Sequence, residues 1–269
     1  MTADETTAAG FPLLSALSRV PAAAHDRVRM LAPVAGIGRR TLLAHPVWRA
    51  AHDVGRGTGA VVVPGLGGID ASMAVMHRWL QRWGYRPAGA GLAGVIGCTS
   101  QLVGHLEAVV ERHVGATGGP VVVLGHSRGG QLGRLLAARR PDLLRGLVMF
   151  GSPVVPPLEL NGMAARLARW LPRAAALGLP VLDADCLTGD CHDTAAAALE
   201  RPVDVPALSL YSKADGVVAW RSSCDPHAEC VEISSTHTGM GLDPDLYAAV
   251  VPRLADWASS DHVGRRASA

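Results

Sequence analysis

The sequence predicts an α/β fold: a mostly parallel central sheet flanked by helices. Three observations carry that prediction. From about residue 59, short apolar runs bounded by Gly and Pro alternate with longer helical patterns, as βαβ units require. One run, Val121-Val122-Val123-Leu124, is apolar throughout, as a strand buried on both faces must be. The strand pattern returns at 207–211 and 230–233 after a long interruption, so the late segments extend the same sheet.

In chain order, the pattern predicts a strand at 60–63, a helix at 71–83, a weaker strand at 86–92 and a helix at 100–113. A strand at 120–124, a helix at 131–139 and a strand at 147–150 follow. Between 152 and 205 the alternation stops. This stretch holds Pro153, Pro156 and Pro157, an amphipathic segment at 163–177 and an acidic, cysteine-bearing loop at 183–193. It reads as a small cap insertion over the C-terminal edge of the sheet, with Leu167, Trp170, Leu171 and Leu177 as an apolar face. A helix at 244–257 closes the domain.

Ahead of the sheet, 11–54 reads as one or two apolar helices, with Leu13, Leu14, Leu17 and Val20 at helical spacing. Arg27, Arg29, Arg39 and Arg40 make a basic face. A packed arm with a solvated face accounts for it more simply than a membrane-surface helix. The expected organisation is a helical arm at 1–58, an α/β domain at 59–258 with the cap at about 153–205, and a flexible tail at 259–269.

Composition narrows the function. Hydrophobic residues are 49% and charged residues 18% of the 269, which is globular and not disordered. A net charge of +2 is too balanced to argue for nucleic acid. Lys213 is the sole lysine, and no Gly-rich loop precedes it, so neither a phosphate loop nor a ready Schiff-base lysine is on offer. The N-terminus is acidic, without the basic region and apolar run of a secretory signal. The longest charge-free stretch, 87–106, is broken by five glycines and is no transmembrane segment. The expectation is a cytoplasmic protein, with export left open and oligomeric state unknown.

Gly125-His126-Ser127-Arg128-Gly129 fits G-x-S-x-G. In a chain with 31 glycines the match alone is weak. Its context makes it informative, because a buried strand runs into it and a helical pattern leaves it. Such a turn strains the serine's backbone and needs glycine on either side. The helix aims its positive end at the reacting oxygen. A serine hydroxyl also needs a base. Asp215 lies just past the 207–211 strand, and His237 just past the 230–233 strand, in the order acid then histidine. Ser127, His237 and Asp215 are therefore the candidate nucleophile, base and orienting acid. Asp225 is a rival acid, placed beyond the expected turn.

Two backbone N–H groups must meet the developing oxyanion. The residue after the nucleophile, Arg128, supplies one. Pro64-Gly65-Leu66-Gly67-Gly68, after the first strand, supplies Leu66. The Arg128 side chain itself reads as a surface or salt-bridge group.

Together with Phe150-Gly151-Ser152-Pro153, the 211–221 stretch and 234–241, these segments resemble bacterial lipases and esterases of the α/β-hydrolase superfamily, and among them an actinobacterial lipase-like group. The resemblance covers about 60–153 and 207–257. It implies the α/β-hydrolase fold, the Ser127–Asp215–His237 triad and the Leu66 and Arg128 donors. The apolar face of the cap favours a small acyl or ester substrate of hydrophobic character, and no cofactor is expected. Pro64 departs from the histidine common before that glycine, which bears on substrate preference, since the loop acts through its backbone. Acyl transfer or thioester cleavage on the same triad, and a non-catalytic binding protein, are the competing readings.

The five cysteines fall into two close pairs, Cys186 with Cys191 and Cys224 with Cys230, and a leftover Cys98. No C-x-x-C spacing appears, so no metal site is expected. Whether either pair is a disulfide depends on the compartment.

Overall fold

The computed structural model describes residues 33–50, 53–156, 158–161, 170, 173, 174, 177 and 185–259. Six parallel strands form one sheet in the order β2-β1-β3-β4-β5-β6. They are β1 (Gly59–Val63), β2 (Arg86–Gly89), β3 (Val121–His126), β4 (Leu144–Phe150), β5 (Ala207–Tyr211) and β6 (Glu229–Glu232). Helices cover both faces, which explains the unbroken apolar runs. In β1, Ala60 and Val62 face one core and Val61 and Val63 the other, as the two-residue period of a strand dictates.

The first core is capped by Trp79 of the Ala74–Arg82 helix and by Tyr247, Val250 and Leu254 of the Pro244–Ser259 helix. Leu42 of the Pro33–Ala44 helix packs there too. The second core is covered by the helices Thr99–Thr117, Arg128–Arg139 and Asp190–Glu200, through Leu106, Leu136 and Leu199. Every strand and helix expected between 60 and 150 is present. The expected helix at 71–83 divides into a 3-10 turn, Asp70–Met73, and the helix proper.

The loop expected at 183–193 is corrected. Its described part forms two helices, Asp185–Thr188 and Asp190–Glu200. The acids that suggest a loop have a helical explanation: Asp185, Asp190 and Asp193 sit in first helical turns, where a carboxylate offsets the helix dipole. The helical spacing at Leu13–Val20, the tail at 260–269, and Leu167 and Leu171 of the apolar cap face lie outside the described residues. Of that face, Trp170 and Leu177 are exposed. Among the described residues no helix is long and apolar enough to cross a membrane.

From β1 the chain steps outward to β2 and then returns across β1 to β3. That reversal lies at the carboxyl ends of β1 and β3, the place where open α/β sheets form the crevice that holds their ligands.

Candidate functional site

Ser127 stands at that crevice. β3 runs into it and the Arg128–Arg139 helix leaves it. Its backbone is at φ 52°, ψ −123°, a conformation an L-residue adopts only when its surroundings impose it. They do so through a short list of contacts. The Ser127 N–H donates to Phe150 O at 2.9 Å, and a side chain at Gly125 would meet the backbone of Gly129 and Gly130. A side chain at Gly129 would meet the carbonyls of Val63 and Pro64. The loop after β1 is thereby pressed against the start of the helix.

His237 opens the His237–Leu242 3-10 turn after β6. Its Nε2 lies 3.0 Å from Ser127 Oγ, and its Nδ1 lies 2.7 Å from Asp215 Oδ2. All three residues are buried. Asp215 Oδ1 accepts the N–H groups of Val217 and Val218, each at 2.8 Å. The carboxylate is thus fixed at both oxygens. Because Asp215 Oδ2 is an acceptor, His237 Nδ1 carries a proton in this pairing, and Nε2 is left to accept from the serine.

Of the two expected oxyanion donors, Arg128 directly follows the serine, and Leu66 follows Gly65, which packs against it. Gly65 lies so close that a Cβ there would sit 3.1 Å from Ser127 Cβ. In the same loop Gly67 N–H donates to Gly94 O and Gly68 N–H to Gly65 O. Leu66 N–H, between them, has no backbone partner among the described residues. Arg128 N–H is the first of its helix, one of the amides a helix leaves unsatisfied. The Arg128 side chain corrects the expectation of a surface or salt-bridge group. It is buried, donates to Gly97 O at 2.9 Å and Thr99 Oγ1 at 3.3 Å, and meets no carboxylate among the described residues.

The rival Asp225 is held elsewhere. It is buried and paired with Arg134 Nε at 2.6 Å, while His237 takes Asp215.

Two further residues at the site carry no sequence signal as functional groups. Gly151, at φ 58°, lies beneath the acid–histidine pair; a Cβ there would be 3.1 Å from His237 Nδ1 and 3.2 Å from Asp215 Oδ2. His126 stacks on Phe150, its ring centroid 4.8 Å from that of His237. Its Nε2 is 3.0 Å from His237 O. A carbonyl only accepts, so His126 Nε2 donates. Burial, with His237 beside it, lowers the His126 pKa to about 3, so the ring is neutral. Both residues lie inside motif segments, and only their spatial neighbours reveal them.

The fold that carries this serine, histidine and aspartate is shared with known proteins. A family model described as serine aminopeptidase, S33, matches residues 83–198. The chain is an α/β-hydrolase in fold. Solved structures similar to it include a monoacylglycerol lipase from Paleococcus ferrophilus (20% identity, 75% of this chain and 96% of that one, TM-score 0.54). A lipase from Bacillus licheniformis is similar at 18% identity, 74% and 92% coverage and TM-score 0.57. A monoglyceride lipase from Saccharomyces cerevisiae follows at 16%, 76% and 86%, with TM-score 0.53. No curated protein sequence matches the chain. Within this hydrolase fold, the family match contains Ser127 but ends before Asp215 and His237, so the geometry of those two rests on the structure.

Proposed function

We propose that this α/β-hydrolase is a serine esterase that cleaves a hydrophobic carboxylic ester through an acyl-enzyme on Ser127. The observation that carries the reading is the hydrogen-bonded chain Ser127 Oγ–His237 Nε2 (3.0 Å) and His237 Nδ1–Asp215 Oδ2 (2.7 Å). Ser127 Oγ attacks the ester carbon while His237 Nε2 takes its proton. Asp215 holds the ring tautomer and offsets the imidazolium charge. The N–H groups of Leu66 and Arg128 receive the oxyanion. As the intermediate collapses, the bond to the leaving alcohol breaks and His237 returns the proton to that oxygen. Water then repeats the sequence, releasing the acid and free Ser127.

The lipase and monoacylglycerol lipase neighbours support an ester substrate. Leu66 and Ile96 support an apolar one: both are exposed, on loops joined at the crevice by the Gly67 N–Gly94 O hydrogen bond. An uncharged His126 adds no positive neighbour to the imidazolium that forms on His237.

A fluorophosphonate should label Ser127 stoichiometrically, as read by intact mass and peptide mapping. Labelling should vanish in Ser127→Ala and fall strongly in His237→Ala. No adduct on folded protein, or an adduct on another serine, overturns the reading. Acyl transfer is separated by product analysis. If added alcohols, amines or thiols capture most of the acyl group at the expense of free acid, the enzyme is a transferase.

A further inference from the structure

Three cysteines converge behind the nucleophile's helix. Cys98 precedes the Thr99–Thr117 helix, Cys186 lies on Asp185–Thr188 and Cys191 on Asp190–Glu200. Cys98 Sγ is 3.8 Å from Cys191 Sγ, Cys186 Sγ is 3.5 Å from Cys191 Sγ, and all three sulfurs lie within 4.8 Å of one another. The other two cysteines, Cys224 and Cys230, form a disulfide, and these three form none. Sequence spacing argues against a metal, because no C-x-x-C exists. Spacing cannot show Cys98 brought to Cys191 across 93 residues of chain.

We propose that Cys98, Cys186 and Cys191 bind one Zn2+ as thiolates, leaving a fourth position for water. A zinc tetrahedron with arms of about 2.3 Å has S···S edges of about 3.8 Å, close to the separations of Cys191 Sγ from Cys98 Sγ and Cys186 Sγ. Donors around the sulfurs suit thiolates: Thr99 N–H donates to Cys186 Sγ at 3.3 Å, and Ser100 Oγ lies 3.1 Å from Cys98 Sγ. Cys191 is positioned by its own N–H, which donates to Asp185 Oδ1 at 3.3 Å.

The second observation is Arg128. Its side chain is buried, the residue only 8% exposed, and its Nε has no hydrogen-bond partner among the described residues. A buried guanidinium without a counter-charge is costly. The Arg128 guanidinium donates to Gly97 O, next to Cys98 in the chain, and to Thr99 Oγ1, whose own N–H reaches Cys186 Sγ, and thiolates at the three cysteines would favour its charge. Three thiolates, one divalent cation and one guanidinium sum to zero charge. The metal would tie the 185–200 helices to the loop before the Thr99–Thr117 helix, and through Arg128 to the nucleophile turn. Nothing in this assignment depends on the esterase reading.

The test uses the full chain, stripped of metal by chelator under an anaerobic phosphine reductant, and Co2+ as the probe. One equivalent of Co2+ should produce a thiolate-to-metal charge-transfer absorption, and Zn2+ should displace it. Zn2+ should also raise the melting temperature. Cys98→Ser alters a partly exposed thiol and spares the buried Cys186, so it should fold. It should weaken Co2+ binding at least tenfold and abolish the Zn2+ shift. Cys224→Ser/Cys230→Ser should retain both signals. Absence of binding with all three cysteines reduced overturns the proposal, as does an unchanged absorption band in Cys98→Ser. So does protein that takes no Co2+ and on air exposure loses two hydrogens from this cluster, which would make it a redox pair.

Discussion

Two buried aspartates, Asp215 and Asp225, stand between β5 and β6, and their surroundings give them opposite uses. Asp215 follows β5 closely and faces a histidine. Asp225 lies before β6 and faces Arg134, a permanent cation that is completely buried and also donates to Leu199 O and Arg201 O. A carboxylate beside a histidine meets a partner whose charge changes during a proton transfer, so it can assist chemistry. A carboxylate beside arginine meets a charge that never changes, so it holds structure. Here that structure is the junction of the Arg128–Arg139 helix, the end of the Asp190–Glu200 helix and the loop into β6.

The sharpest test of the contrast is Asp215→Asn. The asparagine oxygen will keep the two N–H donors of Val217 and Val218, which turns its NH2 toward His237 Nδ1. The ring is then held in the wrong tautomer. We expect kcat for ester hydrolysis to fall by roughly 10⁴-fold with the melting temperature nearly unchanged. Asp225→Asn should invert the pattern. It strands Arg134 in the core, at a cost of roughly 3–5 kcal/mol read by urea unfolding, while fluorophosphonate labelling per folded molecule persists. Exchanged outcomes would exchange the roles of the two acids.

A smaller effect is expected from Gly151→Ala, which leaves both acids intact and disturbs only the floor beneath one. The added methyl would meet His237 Nδ1 at 3.1 Å and Asp215 Oδ2 at 3.2 Å, in a backbone conformation unfavourable to alanine. A displaced histidine should lower kcat by roughly 10- to 100-fold, with little change in the Asp225–Arg134 region by hydrogen exchange. Unchanged kcat would mean the pair tolerates the shift.

The contrast also marks how far the sequence can be read. Val121–Leu124 announces a central strand because both faces are buried, and the turn at Ser127 follows from glycine spacing. Asp215 is legible because it trails a strand end, where sheet topology puts reacting groups. Position alone sets Asp225 aside, and its partner Arg134 is invisible, since an arginine on a helix usually points to solvent. Arg128, Gly151 and the three converging cysteines escape sequence reading for a related reason. Their meaning lies in contacts between segments far apart in the chain, and periodicity reports only local order.

The mildest probe concerns His126, the ring that touches the histidine side of the contrast without joining the proton path. Burial, with His237 adjacent, holds its pKa at about 3, against about 6.5 in an unfolded chain. Below about pH 6.5 the unfolded state therefore takes up a proton that the folded state refuses. Stability contributed by the neutral ring is complete above that pH and declines as pH falls toward the folded value, by at most roughly 1.4 kcal/mol per pH unit. His126→Asn removes this titration along with the ring's stacking on Phe150. The variant should be less stable than the parent at neutral pH, and the gap should shrink between about pH 6.5 and about pH 5. His77, whose pKa burial also lowers, titrates alike in both proteins and cancels in the difference. Urea midpoints at about pH 7, 6 and 5 decide the matter. A gap that stays constant would show that His126 accepts its proton in the folded protein as readily as in the unfolded one.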